Sequence, residues 1–311
     1  MKHVLSVALL LAFFIARAQN AEYYFEKAKE KEQQKDFQYA SVLIDKAIQQ
    51  NGTNAWYYLK KAEIQLELPR PHDAIRYIKK AILLDTTLAE AYNRAGGFYN
   101  SRGYKDSSMV MYDQAIKLAK NDTARHAYLL NRGALKIIFM DYKGSLADFE
   151  EVLRFDPDNL ACLNNIANTY KELGRTDQAI STMKKAIALD KNSIGPYINL
   201  GLLYAEIDSL DNSILYFNKA IAIEPEQALI YSNRGFTYYK LKRYNDAVRD
   251  INKSLSLYPT NAFAYKNLAL VYFAIDKMEE GCTALKYAEH YGFEKRYGQE
   301  VNDLKKKHCK H

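Results

Sequence analysis

Asparagine recurs at a fixed interval of 34 residues through the second half of the chain, at positions 131, 165, 199, 233 and 267. Glycine follows two positions later in three of these intervals, and tyrosine follows five positions later in four of them. A fixed period of about 20 to 50 residues is typical of a solenoid, in which each repeated unit contacts mainly its neighbours. The interval therefore predicts an array of repeated units rather than one compact core.

The same register divides the chain into eight windows and a C-terminal remainder. The windows are 21–54, 55–88, 89–122, 126–159, 160–193, 194–227, 228–261 and 262–295, with the three additional residues 123–125 between the third and the fourth. Each window has the apolar spacing of two amphipathic helices joined by a short turn. Small residues recur at places 8, 20 and 27 of a window, where close approach of two helix backbones requires Gly or Ala. We therefore expect an all-α chain of eight helix pairs. A C-terminal capping helix in residues 296–311 should follow, because the last repeat would otherwise expose its apolar face.

This pattern resembles the tetratricopeptide repeat family over residues 21–295. The stretches most similar to the consensus of that family are Asn199 to Tyr204, and Ala247 to Leu255 followed by Pro259. The resemblance implies a right-handed α-α superhelix of helix-turn-helix repeats. It also implies a concave groove, lined by the first helices through places 2, 5, 6, 9, 12 and 13 of each window.

The first 18 residues have a composition of their own. Lys2 and His3 form a short positive start, residues 4–15 are an apolar run, and residues 16–18 form a small-x-small cleavage signal. They predict a signal peptide that is cut between Ala18 and Gln19, and hence an exported protein, either periplasmic or secreted to the exterior. A buried N-terminal helix is the alternative interpretation. No other run approaches ~18 apolar residues, so no stable membrane insertion is expected.

The charge pattern points away from nucleic acid. The formal net charge of the chain is +7, and loss of Lys2 and Arg17 with the leader would reduce it to +5. The charges of both signs are interspersed rather than clustered into a basic patch, which favours a role in solubility. We therefore expect no nucleic-acid partner.

The recurring asparagines are the first candidate binding residues. A carboxamide offers both a donor and an acceptor, so it can pair with the N–H and C=O groups of an extended peptide. Long superhelical members of the family, including the repeat region of a sugar-transferring enzyme, use such an asparagine ladder on substrate backbone. The alternative is that each carboxamide merely bonds to a neighbouring repeat. The predicted ladder comprises Asn131, Asn165, Asn199, Asn233 and Asn267, with Asn164 and Asn168 beside it.

An aromatic strip supplies the second set of candidates. The groove places of the first three windows are mostly charged, whereas those of the last three are apolar and aromatic. Exposed aromatic rings beside carboxamides suit a peptide or an amphipathic helix. The alternative is that packing between repeats buries part of the strip. The aromatic candidates are Phe236, Tyr239, Phe263 and Phe273.

Three cysteines are present, at positions 162, 282 and 309. In an oxidising compartment Cys282 on the last repeat and Cys309 on the cap could form a disulfide. It would close a loop of about 27 residues and stabilise the protein by ~3 kcal/mol. Two separate thiols are the alternative. Cys162 is interpreted as a small packing residue, and no metal site is predicted.

Motifs of catalysis are missing from the chain. It contains no G-x-S-x-G, H-E-x-x-H, C-x-x-C or G-x-G-x-x-G sequence. We therefore predict a non-catalytic scaffold or adaptor, without cofactor, that binds a peptide or protein segment in the groove within an exported or periplasmic assembly. The alternative function is a carbohydrate-binding or transferase-accessory module, with Tyr and Phe rings stacked on sugar rings. The oligomeric state stays open.

Overall fold

The computed structural model describes residues 2–68 and 73–309, with side chains from residue 18 onward. Within these residues the chain forms eighteen α-helices and no strand, so the all-α expectation is confirmed. The first helices of the pairs are α1 (Lys2–Gln33), α3 (Ala55–Leu66), α5 (Ala89–Ser101), α7 (Asp122–Ile138), α9 (Leu160–Glu172), α11 (Ile194–Glu206), α13 (Ala228–Lys240) and α15 (Ala262–Ala274). The second helices are α2 (Phe37–Gln50), α4 (Ala74–Leu84), α6 (Lys105–Leu118), α8 (Tyr142–Phe155), α10 (Thr176–Leu189), α12 (Leu210–Ile223), α14 (Tyr244–Leu257) and α16 (Met278–His290). Two short helices follow, α17 (Phe293–Tyr297) and α18 (Glu300–His308).

The chain divides into two compact units, residues 1–155 and 156–311. We call them unit 1 and unit 2. Each contains four helix pairs, and unit 2 also contains α17 and α18. Within each unit, every first helix packs on the second helix of its own pair, and successive pairs stack on one another.

Four of the described helix pairs are in close contact at a glycine of the first helix. In unit 2, a Cβ atom added to Gly201 would lie 2.6 Å from the ring of Phe217, and one added to Gly235 would lie 2.7 Å from Ile251. Unit 1 has the same contacts at Gly96 and Gly133, each 2.6 Å from an aromatic ring of the second helix. Glycine therefore recurs at place 8 because a large side chain at place 24 occupies the space of its missing methyl group.

Tyrosine at place 4 joins successive pairs. Its hydroxyl donates a hydrogen bond to a backbone carbonyl six residues earlier, in the connection to the preceding pair, at 3.0–3.3 Å. The residues that make this bond are Tyr58, Tyr92, Tyr197 and Tyr231. These hydroxyls therefore satisfy carbonyls that follow the end of a helix, whereas the amphipathic character of Tyr alone predicts only a solvated hydroxyl.

Buried ion pairs cross-link the helices at places that the repeat pattern does not single out. In unit 2, Arg234 donates to both carboxylate oxygens of Asp250 at 2.6 and 2.9 Å, and to Asn218 Oδ1 of the preceding pair. In unit 1, Arg132 binds Asp148 and Asp113 with the same arrangement. Each arginine therefore fixes its own pair and the preceding one through one planar group.

The three additional residues 123–125 do not form a separate link. The side chain of Asn121 accepts from the backbone N–H of Ala124 and begins helix α7 at Asp122. Helix α7 thus has 17 residues, where most other first helices have 12 or 13. The insertion lengthens a helix by about one turn.

The C-terminal cap consists of two short helices rather than one. The sulfur atoms of Cys282 and Cys309 form a disulfide, with their Cα atoms 5.7 Å apart. Three further contacts run along α15: Phe263 with Tyr297, Lys266 with Glu300, and Phe273 with His308. Val301 of α18 is completely buried. The cap therefore covers α15, the first helix of the last pair, as a further repeat would.

Helix α1 runs through the predicted cleavage position between Ala18 and Gln19. None of the helices in the described residues is long and apolar enough to cross a membrane.

Candidate functional site

The predicted groove residues of unit 2 meet in one cleft of about 480 Å³. Three first helices, α11, α13 and α15, form its walls, and Phe217 of α12 closes its floor between them. We call it the unit 2 cleft; its lining residues are Leu202, Ala205, Glu206, Phe217, Asn233, Phe236, Thr237, Lys240 and Phe263. Three of the predicted site residues, Asn233, Phe236 and Phe263, therefore lie together.

The cleft is apolar at its centre and charged at one rim. Phe236 stacks on the ring of Tyr239 at 5.7 Å, so the predicted residue Tyr239 supports the cleft although it does not line it. At the rim, Lys240 pairs with Asp208 at 2.8 Å and Glu206 pairs with Lys171 at 3.0 Å. Because these charges are already paired, the apolar centre decides which ligand chemistry fits.

The carboxamides of unit 2 differ in their surroundings. The side chains of Asn165, Asn168, Asn199 and Asn233 are half-buried and form no hydrogen bond to another described residue. Asn164 has a buried Oδ1 atom without a partner in the described part of the chain. The four half-buried carboxamides therefore keep donors and acceptors that an added ligand can use, whereas the Oδ1 atom of Asn164 is not accessible to one.

Two predicted site residues are out of reach of a ligand. Asn267 is completely buried, and Phe273 is 8% exposed and stacks on His308 of the cap at 4.3 Å. The expectation that both line an open groove is therefore corrected. The cap folds back along α15 and covers Phe273, and Asn267 has no exposed surface.

Asn131 does not have the free side chain that the ladder hypothesis expects. It lies in unit 1, and its Nδ2 atom donates to Asn93 Oδ1 on α5 at 2.8 Å. Here the alternative interpretation applies, since the carboxamide bonds to a neighbouring repeat. Ser232 and Asn267 occupy the same two places in successive pairs of unit 2, yet their side-chain polar atoms are buried without a partner among the described residues. Serine is too short to reproduce the Asn93–Asn131 bond.

Lys266 is the residue that sequence reasoning missed. It is 4% exposed, and its Nζ atom lies 4.7 Å from the ring centre of Phe263 and 5.3 Å from that of Phe236. Glu300 of the cap supplies its counter-charge at 3.2 Å. Lys266 thus fixes the two cleft rings by cation–π contacts and connects them to the cap. Lys266 is at place 5 of its window, Phe263 is at place 2 of the same window and Phe236 is at place 9 of the preceding one. All three are groove places, and this was the signal that the sequence offered.

Cys162 behaves as a packing residue. Its side chain is completely buried, and burial raises the pKa of its thiol to about 12. Such a thiol stays protonated and unreactive at neutral pH. Among the described residues, no group of three or more His, Cys, Asp or Glu side chains could hold a metal ion.

Comparison with protein families identifies the repeats. Models described as tetratricopeptide repeat or TPR repeat match residues 89–122, 149–181, 167–208, 194–227 and 228–261. These ranges include α9 to α14, from which most of the unit 2 cleft is built.

Several known proteins are similar to parts of the chain. The Protein CTR9 homolog of Arabidopsis thaliana is 32% identical over 100 residues, which are 32% of this chain and 9% of that protein. Stress-induced-phosphoprotein 1 of Caenorhabditis elegans is 22% identical over 187 residues, which are 50% of this chain and 58% of that protein. The chain thus spans less than two thirds of either relative.

The fold has a counterpart in a solved structure. The crystal structure of a tetratricopeptide repeat protein from Parabacteroides merdae superimposes with a TM-score of 0.57 at 18% identity, covering 92% of this chain and 98% of that chain. At this identity the likeness concerns the fold alone. Together with the family matches, it shows that the chain contains tetratricopeptide repeats and folds as an array of their helix pairs.

Proposed function

We propose that the protein is a non-catalytic interaction scaffold that holds a peptide or protein segment in the unit 2 cleft, within an exported or periplasmic assembly. The observation that carries this proposal is the meeting of aromatic rings and a carboxamide without an internal partner in one cleft. The rings of Phe236 and Phe263 can bury an apolar side chain, and the carboxamide of Asn233 can pair with the backbone beside it. The repeats support the proposal, because stacked helix pairs present extended surfaces to a partner.

The carboxamides and the aromatic rings contribute differently to the free energy of binding. Each net hydrogen bond from a carboxamide contributes only ~0.5–1.5 kcal/mol. Burial of one large apolar side chain contributes ~1.5–3 kcal/mol. The aromatic centre therefore sets the affinity, and the asparagines set the direction and register of the bound backbone.

The proposal is tested with the chain from Gln19 to His311 as bait in the envelope fraction of its own host. Two variants remove the aromatic rings of the cleft and the carboxamides of α11 and α13 separately: Phe236→Ala together with Phe263→Ala, and Asn199→Ala together with Asn233→Ala. We expect the wild-type chain to capture a small set of proteins, the aromatic variant to lose them, and the asparagine variant to retain them more weakly. Mass spectrometry identifies the captured proteins.

The matched control is Asn131→Ala, which removes the same side chain from unit 1, where it bonds to Asn93. It should capture the same set as the wild-type chain. Equal capture by all four proteins, each with an unchanged helical circular-dichroism spectrum, would show that the unit 2 cleft is not the binding site.

The exported setting has its own test. The apolar run before a small-x-small signal supports cleavage after Ala18. N-terminal sequencing of the protein from its own host should give Gln19 as the first residue, in the envelope or culture-supernatant fraction. A cytoplasmic protein that retains its first 18 residues would refute the export.

A further inference from the structure

Unit 1 has a cleft of its own, which the proposed function does not use. It lies on the first helices α1, α3, α5 and α7 and has a volume of about 530 Å³. Its apolar part is formed by Phe25, Trp56, Leu59 and Tyr128. We call it the unit 1 cleft. Its rim carries five charged side chains of both signs, whereas two charged side chains line the unit 2 cleft.

Trp56 is the most conspicuous residue of this cleft. It is the single tryptophan of the chain, and half of its surface is exposed (50%). Its backbone N–H donates to Asn54 Oδ1 at 3.0 Å, which fixes it in the first turn of α3. An indole held at the wall of a concave surface leaves a large flat apolar area in contact with water. A ligand with a flat apolar face would cover it.

The charged groups of the rim form an alternating chain. Lys60 Nζ lies 2.9 Å from Glu32 and 2.5 Å from Glu63. Arg94 Nε lies 3.0 Å from Glu63 and 2.8 Å from Glu90. Tyr128 donates its hydroxyl to Glu90 at 3.0 Å and ends the chain.

This chain of charges argues against a charged ligand. The chain alternates two cations, those of Lys60 and Arg94, with three carboxylates, those of Glu32, Glu63 and Glu90. Lys29, which also lines the cleft, pairs separately with Glu26. An acidic segment that approached Arg94 would also approach Glu63 and Glu90, and a basic segment would meet Lys60 and Arg94. Either one has to disrupt existing ion pairs, and a neutral ligand does not.

The same rim retains hydrogen-bonding capacity. Arg94 is 46% exposed, and its guanidinium has five N–H donors, more than its two ion pairs require. Each carboxylate has more acceptor sites than its ion pairs occupy. The rim therefore presents donors and acceptors side by side, next to a flat apolar ring.

From these observations we propose that the unit 1 cleft binds a neutral oligosaccharide. A sugar hydroxyl donates one hydrogen bond and accepts others, which suits an alternating rim of Arg94, Glu63 and Glu90. The C–H face of a sugar ring is apolar and flat, and it packs against the exposed face of Trp56. The scaffold then has two sites of different chemistry, a protein segment in unit 2 and a neutral glycan in unit 1.

The single tryptophan makes the test direct. The chain from Gln19 to His311 is titrated with three neutral trisaccharides (maltotriose, cellotriose and the trimer of N-acetylglucosamine) while the indole fluorescence is recorded. We expect a saturable change in emission with at least one of them. Absence of a saturable change with all three up to about 10 mM, a concentration that detects even millimolar affinity, would overturn the proposal.

Two variants separate the site from the rest of the protein. Trp56→Leu, followed by isothermal titration calorimetry because it removes the fluorophore, should weaken binding of the same trisaccharide at least tenfold. Phe236→Ala, in the unit 2 cleft, should leave sugar binding unchanged while it loses the protein partners. Trp56 is half-exposed in a first helical turn, so its replacement should leave the circular-dichroism spectrum unaltered.

Charged peptides test whether the unit 1 cleft binds a charged protein segment instead of a glycan. An acidic and a basic hexapeptide, titrated in the same way, should cause no saturable change in emission. A saturable change with either peptide and with none of the trisaccharides would assign the cleft to a charged protein segment and overturn the glycan proposal. The Phe236→Ala result keeps this outcome distinct from a failure of the proposed function in unit 2.

Discussion

At the scale of single residues, glycine at place 8 shows how a repeat pattern arises from one contact. The methyl group that alanine would add at position 201 meets Phe217 at 2.6 Å, and Phe217 is completely buried. The two helices of the pair cannot move apart without losing the contacts that bury this ring. The pattern is thus a consequence of packing in the helix pair.

Replacement of Gly201 by alanine should therefore destabilise the protein by ~1–3 kcal/mol, because the added carbon overpacks the pair. Urea unfolding measures the change. The matched control is Gly195→Ala in the same helix, where no atom lies within 4 Å of the added carbon. That variant should be neutral or slightly stabilised, since alanine has the higher helix propensity. Equal effects of the two variants would contradict the packing account.

Tyr57 makes the stability of the folded protein depend on pH in the alkaline range. Its hydroxyl donates to Glu22 at 3.0 Å, and burial, reinforced by this carboxylate, raises the pKa of Tyr57 to about 12. The pKa of an unfolded tyrosine is about 10. Because the folded pKa is the higher one, the contribution is fully present below about pH 10 and is lost as the pH rises through about 12.

Tyr57→Phe should accordingly cost ~0.5–1.5 kcal/mol at pH 7, the net value of one hydrogen bond. The difference from the wild-type protein should shrink between about pH 10 and pH 12, as the wild-type hydroxyl ionises. Urea unfolding at several pH values measures both effects, with the exposed Tyr23→Phe as control. A difference that stays constant up to pH 12 would show that the Tyr57–Glu22 bond contributes nothing to the pH dependence.

At the scale of helices, two arginine–aspartate pairs fix the first helices α7 and α13 to their neighbours. The side chain of Asp250 on α14 is 4% exposed, and Arg234 on α13 binds both of its oxygens. Loss of one partner leaves the other as a buried charge without compensation, and this accounts for most of the cost.

Asp250→Ala should therefore destabilise the protein by ~3–5 kcal/mol. The control is Asp246→Ala on the same helix, whose partners Arg243 and Arg249 are largely exposed. Removal of such surface pairs costs ~0–1 kcal/mol. Thermal unfolding measures the loss of stability in both variants. Similar losses would show that the Arg234–Asp250 pair contributes no more to stability than an exposed ion pair.

At the scale of the whole molecule, the cap determines where the helix array ends. Helix α18 has nine residues, too few to be stable alone, and in the structure it is held by Val301, by its ion pairs and by the disulfide. The disulfide closes a loop of 27 residues. A loop of this length corresponds to ~3–4 kcal/mol in the chain-entropy description.

Cys282→Ser, Cys309→Ser and the double variant should each lose nearly the same stability, up to ~3–4 kcal/mol, because either single change already breaks the bridge. Losses that add up in the double variant would contradict a bridge. As an independent readout, a thiol reagent should find no reactive group in the native wild-type protein, because Cys162 is buried and its thiol has a raised pKa.

Much of the site could be predicted only in outline. Asn233, Phe236 and Phe263 share a cleft as their places in the repeat suggest, because neighbouring first helices present equivalent places to the same side. Asn131 and Asn267 have the same place and different roles. Asn131 bonds to Asn93, 38 residues away, whereas Asn267 is completely buried and its polar side-chain atoms have no partner among the described residues. The residue type at one place does not reveal the partner opposite it.

The sequence by itself determined the period, the helix pairs and the small-to-large contacts within each pair. These depend on residues about 16 positions apart in one window, so a local pattern contains all of the necessary information. Only the tertiary structure decided which groove residues stay open, how Lys266 holds two aromatic rings, and that Trp56 lies in one cleft with an alternating chain of ion pairs. Those outcomes depend on contacts between different helix pairs and with the cap, where the geometry of packing chooses among side chains that the repeat pattern treats as equivalent.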